Sequence, residues 1–322
     1  MQNTEQQVIL VTAGSGNIGS RLIPRLLEDP TKPKIIVPTS SSAKFLGRLN
    51  SGSRDQIVVE EGDIRDPRWF QSILSKHSVT SVLLCLTGSD ELFTTLNIFD
   101  AMRKSASVKH LVYISGCGDY SLSTENSGQL QHVGAAHVAV KYILEGKLQY
   151  GMPSNNFTHT VLGPSLFFDN DLRSKKSMLE DSFFDEPLGS KGVSRVDPAD
   201  IALAAHNALK DQGRKYNGQK FMIGSLQTYT NSDIAGLWSK SLGKEIKAAG
   251  SDPESLETFE AHVSEFVGPA WGRDMRLMYE QFEARGFAMS EKEYKLQVDL
   301  LGKEPEDYVR FVGDTGKLWL GN

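Results

Sequence analysis

A glycine-rich turn near the N-terminus constrains the fold of this chain more than any other feature. Residues 8–12 form an apolar run that predicts a buried β-strand, and glycines in the spacing GxGxxG follow it directly, at Gly14, Gly16 and Gly19. The last glycine opens an amphipathic helix predicted over residues 18–28. Glycine lets backbone amides approach a phosphate closely, and a helix N-terminus adds partial positive charge. This context predicts a Rossmann-type site for the pyrophosphate of a dinucleotide, with an ordinary glycine-rich turn as the alternative.

The first half of the chain alternates short apolar runs with helical stretches, which is typical of an α/β fold. The predicted strands are residues 8–12, 34–38, 56–60, 81–86, 110–114 and 157–162. The predicted helices are residues 18–28, 43–50, 67–76, 92–105 and 133–148. Asp66 before Pro67 marks the clearest helix start, as an N-cap followed by proline at the first helical position. These elements predict a doubly wound parallel sheet, the NAD(P)-binding Rossmann fold.

The second half of the chain has a different character. Residues 167–191 have no clean period and predict a long loop, whereas residues 198–209 predict a helix and residues 220–223 a further strand. From Thr230 onward the pattern is mostly helical. We therefore expect a dinucleotide-binding domain over residues 1–165, to which residues 195–225 return, and a smaller, mostly helical substrate lobe over residues 166–322 that closes over the carboxyl edge of the sheet.

Aromatic and apolar side chains recur at helical spacing in this second half. They are Phe259, Phe266, Met275, Met278, Tyr279, Phe282 and Tyr294. We expect core packing to account for most of them and a few to line a substrate pocket.

The segment after the second strand indicates which dinucleotide binds. NAD-specific sites place an acidic residue about 20 residues beyond the glycines, where it binds the ribose 2′-hydroxyl. No Asp or Glu occurs between Asp29 and Asp55. Four hydroxyls and an ammonium group stand there instead: Thr39, Ser40, Ser41, Ser42 and Lys44. These groups could hold a 2′-phosphate, so we predict NADP(H) as the cofactor and tighter binding of NADPH than of NADH. A polar turn with a solvated lysine is the alternative, and the lack of the usual arginine predicts a modest preference.

Several segments in order resemble the NmrA-like branch of the atypical short-chain dehydrogenases/reductases. They are residues 11–19, 61–66, 110–115, 160–169, 197–201 and 242–244, together with Lys141-x-x-x-Glu145. The resemblance covers roughly residues 8–245 and leaves the helical tail unmatched. Two positions depart from the family pattern, since Ala13 stands in place of a common glycine and Gly163 in place of the usual arginine before a proline.

The resemblance also implies which residues hold the cofactor. Asp63 and Ile64 would lie against the adenine, and Leu86, Thr87 and Gly88 beside the ribose and nicotinamide. The glycine turn would contribute Thr12, Gly14, Ser15, Gly16, Asn17, Ile18 and Gly19. Lys141 would hold the ribose hydroxyls.

The resemblance further implies a catalytic group formed by Ser115, Lys141 and the residue four positions before that lysine. Most short-chain dehydrogenases have a tyrosine there, but this chain has His137. Residues at i and i+4 share one face of a helix, so His137 and Lys141 could point at the nicotinamide together. Either one could supply the proton, because histidine titrates near neutrality and the isoflavone-reductase-like relatives are thought to use the lysine.

Simpler roles remain open for these side chains. Lys141 could pair with Glu145 on a solvated face, and His137 could be a surface or packed histidine. Three tyrosines without the i, i+4 relation to Lys141 are further candidates for the proton donor: Tyr113, Tyr120 and Tyr142. Cys117 lies close to Ser115 in sequence, and we expect it to have a packing role.

Composition limits the classes of partner. The net charge is −5 and Lys and Arg are scattered, which argues against nucleic acid and favours a small-molecule substrate. No apolar run approaches the ~18 residues of a transmembrane helix, and the first residues lack the pattern of a secretory signal. Two cysteines suit a reducing compartment, so we expect a cytoplasmic protein. His132, His159 and His206 show no metal-ligand spacing, and we predict no metal.

Three functions fit these features. The first is an NADPH-dependent reductase that acts on a carbonyl, imine or conjugated double bond of a small organic molecule. The second is a non-catalytic NADP-binding sensor that regulates a partner protein, which the missing tyrosine favours. The third is a non-redox isomerase or cyclase with a structural cofactor. A homodimer is compatible with each of them.

Overall fold

The structure is a computed structural model that describes residues 6–47, 56–119, 132–152 and 157–321. The chain divides into two compact units. The first consists of Met1–Ser115, Ile143–Gly163 and Pro198–Phe221, and the second of Gly116–Tyr142, Pro164–Asp197 and Met222–Asn322.

The strands and helices alternate through the first half of the chain. The strands are β1 (Val8–Val11), β2 (Lys34–Thr39), β3 (Ile57–Glu61), β4 (Ser81–Leu84), β5 (His110–Ile114), β6 (Thr158–Pro164), β7 (Leu166–Phe167), β8 (Phe183–Phe184), β9 (Val193–Val196), β10 (Gln219–Ile223), β11 (Thr228–Tyr229) and β12 (Lys247–Ala248). The helices are α1 (Gly19–Glu28), α2 (Ser42–Leu46), α3 (Pro67–Lys76), α4 (Glu91–Lys104), α5 (Ala136–Tyr150), α6 (Lys175–Glu180), α7 (Pro198–Asp211), α8 (Asn231–Leu242), α9 (Pro253–Val267), α10 (Pro269–Arg285), α11 (Glu291–Leu301) and α12 (Tyr308–Leu320). Within the described residues, a 3-10 helix also spans Phe168–Ser174.

The central sheet has the strand order β10-β6-β5-β4-β1-β2-β3 among the described residues. Strands β1 to β6 pair in parallel. This is the Rossmann order 3-2-1-4-5-6 extended by one strand, so the predicted doubly wound sheet is confirmed. The strand order reverses between β1 and β4, and ligands of such sheets bind at that point, beyond the carboxyl ends of the strands.

Burial explains why the sequence predicted these strands well. Every residue of β4 and β5 is buried, as are the last three of β1, because helices cover both faces of a doubly wound sheet. The helix α3 also begins as predicted. The carboxylate of Asp66 accepts hydrogen bonds from the amides of Arg68 and Trp69, and Pro67 fills the first helical position.

The prediction of a long loop over residues 167–191 is wrong. This segment contains the 3-10 helix, α6 and β8, and it buries Phe168, Met178 and Phe184 completely. These short elements are stabilised by tertiary packing, which leaves no helical or strand period in the sequence. The expectation that the chain is mostly helical from Thr230 onward is confirmed by α8 to α12.

A buried polar network crosses the second unit. The guanidinium of Arg195 on β9 contacts the carboxylate of Asp171 in the 3-10 helix, and both side chains are fully buried. The same carboxylate accepts hydrogen bonds from the indole of Trp238, at 2.9 Å, and from the hydroxyl of Tyr308. Four elements that are distant in sequence therefore share one carboxylate.

Apolar packing surrounds this network, and the aromatic residues of the tail contribute most of it. Met278, Tyr279 and Phe282 are buried, and Phe259 and Met275 pack against them. Tyr294 belongs to a smaller cluster with Cys117, Met222 and Met289. Phe266 differs from these and is 74% exposed. Core packing thus accounts for most of the set, as predicted. Among the described helices, none is both long and apolar enough to span a membrane.

Candidate functional site

The glycine turn lies in the first unit, at the carboxyl end of β1 and beside the end of β4. The hydroxyl of Thr12 donates to the carbonyls of Leu83 and Cys85, both at 3.1 Å, and accepts a hydrogen bond from the amide of Cys85 at 2.8 Å. Thr12 therefore fixes the start of the turn against the segment that contains Leu86, Thr87 and Gly88. This is the point of the sheet at which the strand order reverses.

The three glycines of the turn have different surroundings. A Cβ on Gly14 would lie 2.7 Å from a methyl of Val37, and one on Gly19 would lie 2.4 Å from the carbonyl oxygen of Ala13. Those two glycines are explained by internal packing. A Cβ on Gly16 would meet only Ala13 within 4 Å, with its nearest atom at 3.2 Å. Close approach of a ligand is what a glycine at that position allows.

The turn also presents backbone donors. Within the described residues, the structure records no hydrogen bond for the amides of Asn17 and Ile18, just before α1 begins. Amides at the N-terminus of a helix are suited to a phosphate group. The backbone of Ala13 has φ +50°, in the left-handed region that favours glycine.

Residues 39–44, which follow the body of β2 and are called the hydroxyl segment below, form several hydrogen bonds among themselves. Thr39 and Ser41 hydrogen-bond to each other, and the Ser41 hydroxyl caps α2 by accepting from the amide of Lys44 at 3.5 Å. The side chains of Ser40 and Lys44 are exposed. A carboxylate that the sequence analysis did not foresee reaches this segment, since Glu61 accepts hydrogen bonds from the amide and the hydroxyl of Ser42.

The residues after β3 form a charged surface in the first unit. Arg65 holds both carboxylate oxygens of Asp63, at 2.9 and 2.8 Å, and reaches Asp90 at 3.4 Å. Hydrogen bonds from Arg65 lower the pKa of Asp63. Both oxygens of the Asp63 carboxylate therefore accept hydrogen bonds from Arg65. The contacts of Asp63 and Ile64 with adenine stay predictions.

Ser115 directly follows β5 and forms a hydrogen bond with an acidic side chain. Its buried hydroxyl donates to the carboxylate of Glu145 on α5. Lys220 on β10 donates to the same oxygen at 2.7 Å. Sequence reasoning placed Ser115 at the end of β5 but did not find these partners, because the three residues lie 30 and 75 positions apart.

His137 and Lys141 lie in the first turns of α5, within the second unit. Lys141 is only 7% exposed, so the alternative of a lysine on a solvated face is wrong. The ring of His137 contacts the carboxylate of Asp274 through Nδ1 and lies 5.7 Å from the ring of Trp271. With Nδ1 donating to the carboxylate, Nε2 is the nitrogen that remains to carry or accept a proton. Asp274 lies on α10, in the tail that the family resemblance did not cover.

The other candidates for the proton donor are less suitable. Tyr113 is completely buried, and burial, reinforced by the nearby Glu91, raises the pKa of its hydroxyl well above the usual value. Tyr142 is also buried, and Tyr120 lies outside the described residues. Cys117 packs against Met222 and Met289, which supports its predicted packing role. No group of three His, Cys, Asp or Glu side chains suited to a metal ion occurs in the described part of the chain.

Comparison with known proteins adds to this geometry. The model of the NmrA-like family matches residues 5–286. An NAD(P)H azoreductase from Xenophilus azovorans is 27% identical over 241 residues, which cover 74% of this chain and 76% of the azoreductase. An NADPH-dependent quinone oxidoreductase from Escherichia coli, complexed with NADPH, superposes with a TM-score of 0.74 at 18% identity, over 95% of this chain and 99% of the oxidoreductase. NmrA, a negative transcriptional regulator solved with NADP, superposes with a TM-score of 0.66 at 12% identity, over 98% of this chain and 97% of NmrA. At these identities the two structural matches establish the fold.

Proposed function

Because the chain belongs to the NmrA-like family, we propose that it is an NADPH-dependent reductase of small organic molecules. The reducible group would be a carbonyl, an imine or a conjugated double bond. The similarity to an NAD(P)H azoreductase over three quarters of both chains supports a reductase. A quinone oxidoreductase of the same fold, solved with NADPH, supports the choice of cofactor.

The glycine turn is the observation that carries this proposal. A Cβ would clash inside the protein at Gly14 and Gly19, whereas at Gly16 it would meet only Ala13, at 3.2 Å. The amides of Asn17 and Ile18 lack partners among the described residues. A pyrophosphate would use these amides and the open side of Gly16. The groups that would hold the ribose phosphate are Thr39, Ser40, Ser41, Ser42 and Lys44. Asp63, Ile64 and the segment from Leu86 to Gly88 would lie along the rest of the nucleotide.

Residues 166–322 would provide the substrate lobe, and side chains of α5 would provide the proton. A bound, reduced nicotinamide supplies a hydride, and a proton must reach the substrate from a group within hydrogen-bond distance. His137 and Lys141 are the two candidates. The Asp274 carboxylate holds the His137 ring in one orientation and one tautomer, which is what a proton-donating histidine requires. Lys141 would contact the ribose hydroxyls, and Ser115 the reacting group.

Consumption of NADPH by the purified protein tests the proposal. The panel should contain azo dyes, quinones, enones, aldehydes and imines, with NADPH oxidation followed by absorbance and the product identified by mass spectrometry. We expect turnover with at least one class. Where the hydride is transferred to carbon, as in aldehydes, imines and enones, the product should carry deuterium from cofactor labelled at the transferred hydride. Binding of NADPH with no turnover of any substrate class in the panel would contradict the proposed reductase activity.

A regulatory NADP sensor is the second candidate. The replacement of the usual tyrosine by His137 favours it, as does the structural similarity to a transcriptional regulator. A sensor would bind a protein partner with an affinity that differs between NADP and NADPH, whereas a reductase would show no such dependence. Affinity capture in the presence of each nucleotide separates the two.

A further inference from the structure

The carboxylate of Glu61 lies at the carboxyl end of β2, although β2 itself carries no acid. Glu61 is the last residue of β3 and pairs in register with Thr39, the last residue of β2. An acid on the neighbouring strand therefore reaches the place at which NAD-specific sites have their acidic residue. The residues that follow β2 in sequence do not include this acid, because Glu61 reaches the end of β2 through the pairing of β3 with β2.

The Glu61 carboxylate occupies donors that a phosphate would use. Its Oε2 accepts one hydrogen bond from the Ser42 amide at 2.9 Å and another from the Ser42 hydroxyl. Ser42 belongs to the hydroxyl segment predicted to hold a 2′-phosphate, and phosphate oxygens accept from the same kinds of donor. In this structure the two donors of Ser42 therefore already bind an anionic oxygen, the carboxylate oxygen of Glu61.

The negative charge of Glu61 affects the 2′-phosphate of NADP(H) and the 2′-hydroxyl of NAD(H) differently. The hydrogen bonds from Ser42 lower the pKa of Glu61, so its carboxylate is ionised at neutral pH. A phosphate monoester carries about −1.5 to −2 charges at pH 7 and is repelled by a carboxylate, whereas a 2′-hydroxyl can donate to one. The Glu61 side chain is exposed, so it can leave Ser42 without loss of buried contacts.

Resting on the proposed binding of NADP(H), we propose that Glu61 determines the choice between the two nucleotides. Its carboxylate accepts the 2′-hydroxyl of NAD(H), and it must leave Ser42 before the 2′-phosphate of NADP(H) can bind there. The chain therefore accepts both nucleotides, and Glu61 keeps the preference for NADPH below what the hydroxyl segment would otherwise provide.

Nucleotide titrations of the full chain test this inference. Glu61→Gln keeps the shape of the side chain and removes its charge. We expect it to tighten binding of NADPH and of adenosine 2′,5′-bisphosphate by about three- to tenfold, the effect of one nearby exposed charge. Binding of NADH and of 5′-AMP should stay equal or weaken. The gain should shrink in high salt, because screening weakens exposed charges. Fluorescence or calorimetry measures these affinities without turnover.

Glu28→Gln is the matched control. Glu28 is exposed and ends α1, about 15 Å along the helix from the glycine turn, and its replacement also removes one negative charge. We expect it to leave the ratio of NADPH to NADH affinity unchanged. The same ratio in Glu61→Gln and wild type would overturn the inference alone. A wild-type chain that binds neither nucleotide would overturn the proposed function as well.

Discussion

His137 and Lys141 are the residues on which the proposed proton transfer depends. We expect His137→Phe to lower turnover by about 10²–10⁴, the usual contribution of a general acid, with little change in cofactor affinity. Lys141→Ala should remove most turnover and also weaken cofactor binding, because Lys141 would hold the ribose. Stopped-flow kinetics and nucleotide titration measure the two effects separately.

His262→Phe provides a control for these variants. His262 is an exposed histidine on α9 that contacts the ring of Phe266, and we expect wild-type turnover after its replacement. Asp274→Asn should lower turnover in the same direction as His137→Phe, because it removes the carboxylate that orients the ring. Wild-type turnover in both His137→Phe and Lys141→Ala would show that another group provides the proton.

The site residues that the sequence did not predict are all distant in sequence from the side chains they contact. Asp274 lies 137 positions from His137, and Lys220 lies 75 positions from Glu145. Glu61 reaches Ser42 through strand pairing. The glycine turn and the place of Ser115 at the end of β5 were predictable because local patterns encode them. Partners brought together by tertiary packing have no local pattern, and only the structure identifies them.

The glycine turn contains a strained backbone position that a single substitution should relieve. Ala13 adopts φ +50°, which costs a residue with a Cβ about 1–2 kcal/mol relative to glycine. We expect Ala13→Gly to raise the free energy of unfolding by about 1 kcal/mol, since the greater freedom of glycine in the unfolded chain offsets part of the gain. Urea unfolding measures this change.

Ala43→Gly gives the opposite sign and serves as the control. Ala43 is exposed within α2, where glycine costs up to about 1 kcal/mol relative to alanine. A loss of stability in Ala13→Gly similar to that in Ala43→Gly would show that the left-handed position is not strained.

The elements themselves were predictable to different degrees. The helix α3 was found with its bounds because Asp66 and Pro67 mark its start locally. The strands β1, β4 and β5 were found because burial on both faces produces continuous apolar runs. The segment over residues 167–191 was predicted as a loop because its short elements depend on buried contacts elsewhere in the second unit.

The second unit as a whole depends on the shared carboxylate of Asp171. Its removal would leave the fully buried guanidinium of Arg195 without the carboxylate that it contacts, and loss of one partner of a buried pair typically costs about 3–5 kcal/mol. We expect Asp171→Asn to lower the free energy of unfolding by about 3 kcal/mol or more. Asp181→Asn, an exposed change in the same stretch, should leave it unchanged within about 0.5 kcal/mol. Equal stability of the two variants in chemical denaturation would contradict the prediction.

Two buried groups should give the two units opposite responses to acid. Burial lowers the pKa of His110, in the first unit, to about 4. The unfolded chain binds this proton below about pH 6.5 and the folded chain does not, so the first unit loses stability as the pH falls through this range. Burial raises the pKa of Glu186, in the second unit, to about 7, although Arg195 and Arg173 oppose the rise. The folded chain binds that proton first, so the second unit gains stability as the pH falls from about 7 towards about 4.5.

Calorimetry at pH 7.5 and pH 5.5 measures these opposite responses. Over this range each group changes stability by about 1–2 kcal/mol, because a shift of one pKa unit corresponds to about 1.4 kcal/mol. We expect Glu186→Gln to remove the gain of the second unit and to make the protein more sensitive to acid than wild type. His110→Gln should remove part of the loss from the first unit, and His159, whose pKa burial also lowers, accounts for some of the remainder. Parallel pH profiles for wild type and Glu186→Gln would show that the Glu186 carboxyl is not held protonated by burial in the folded chain.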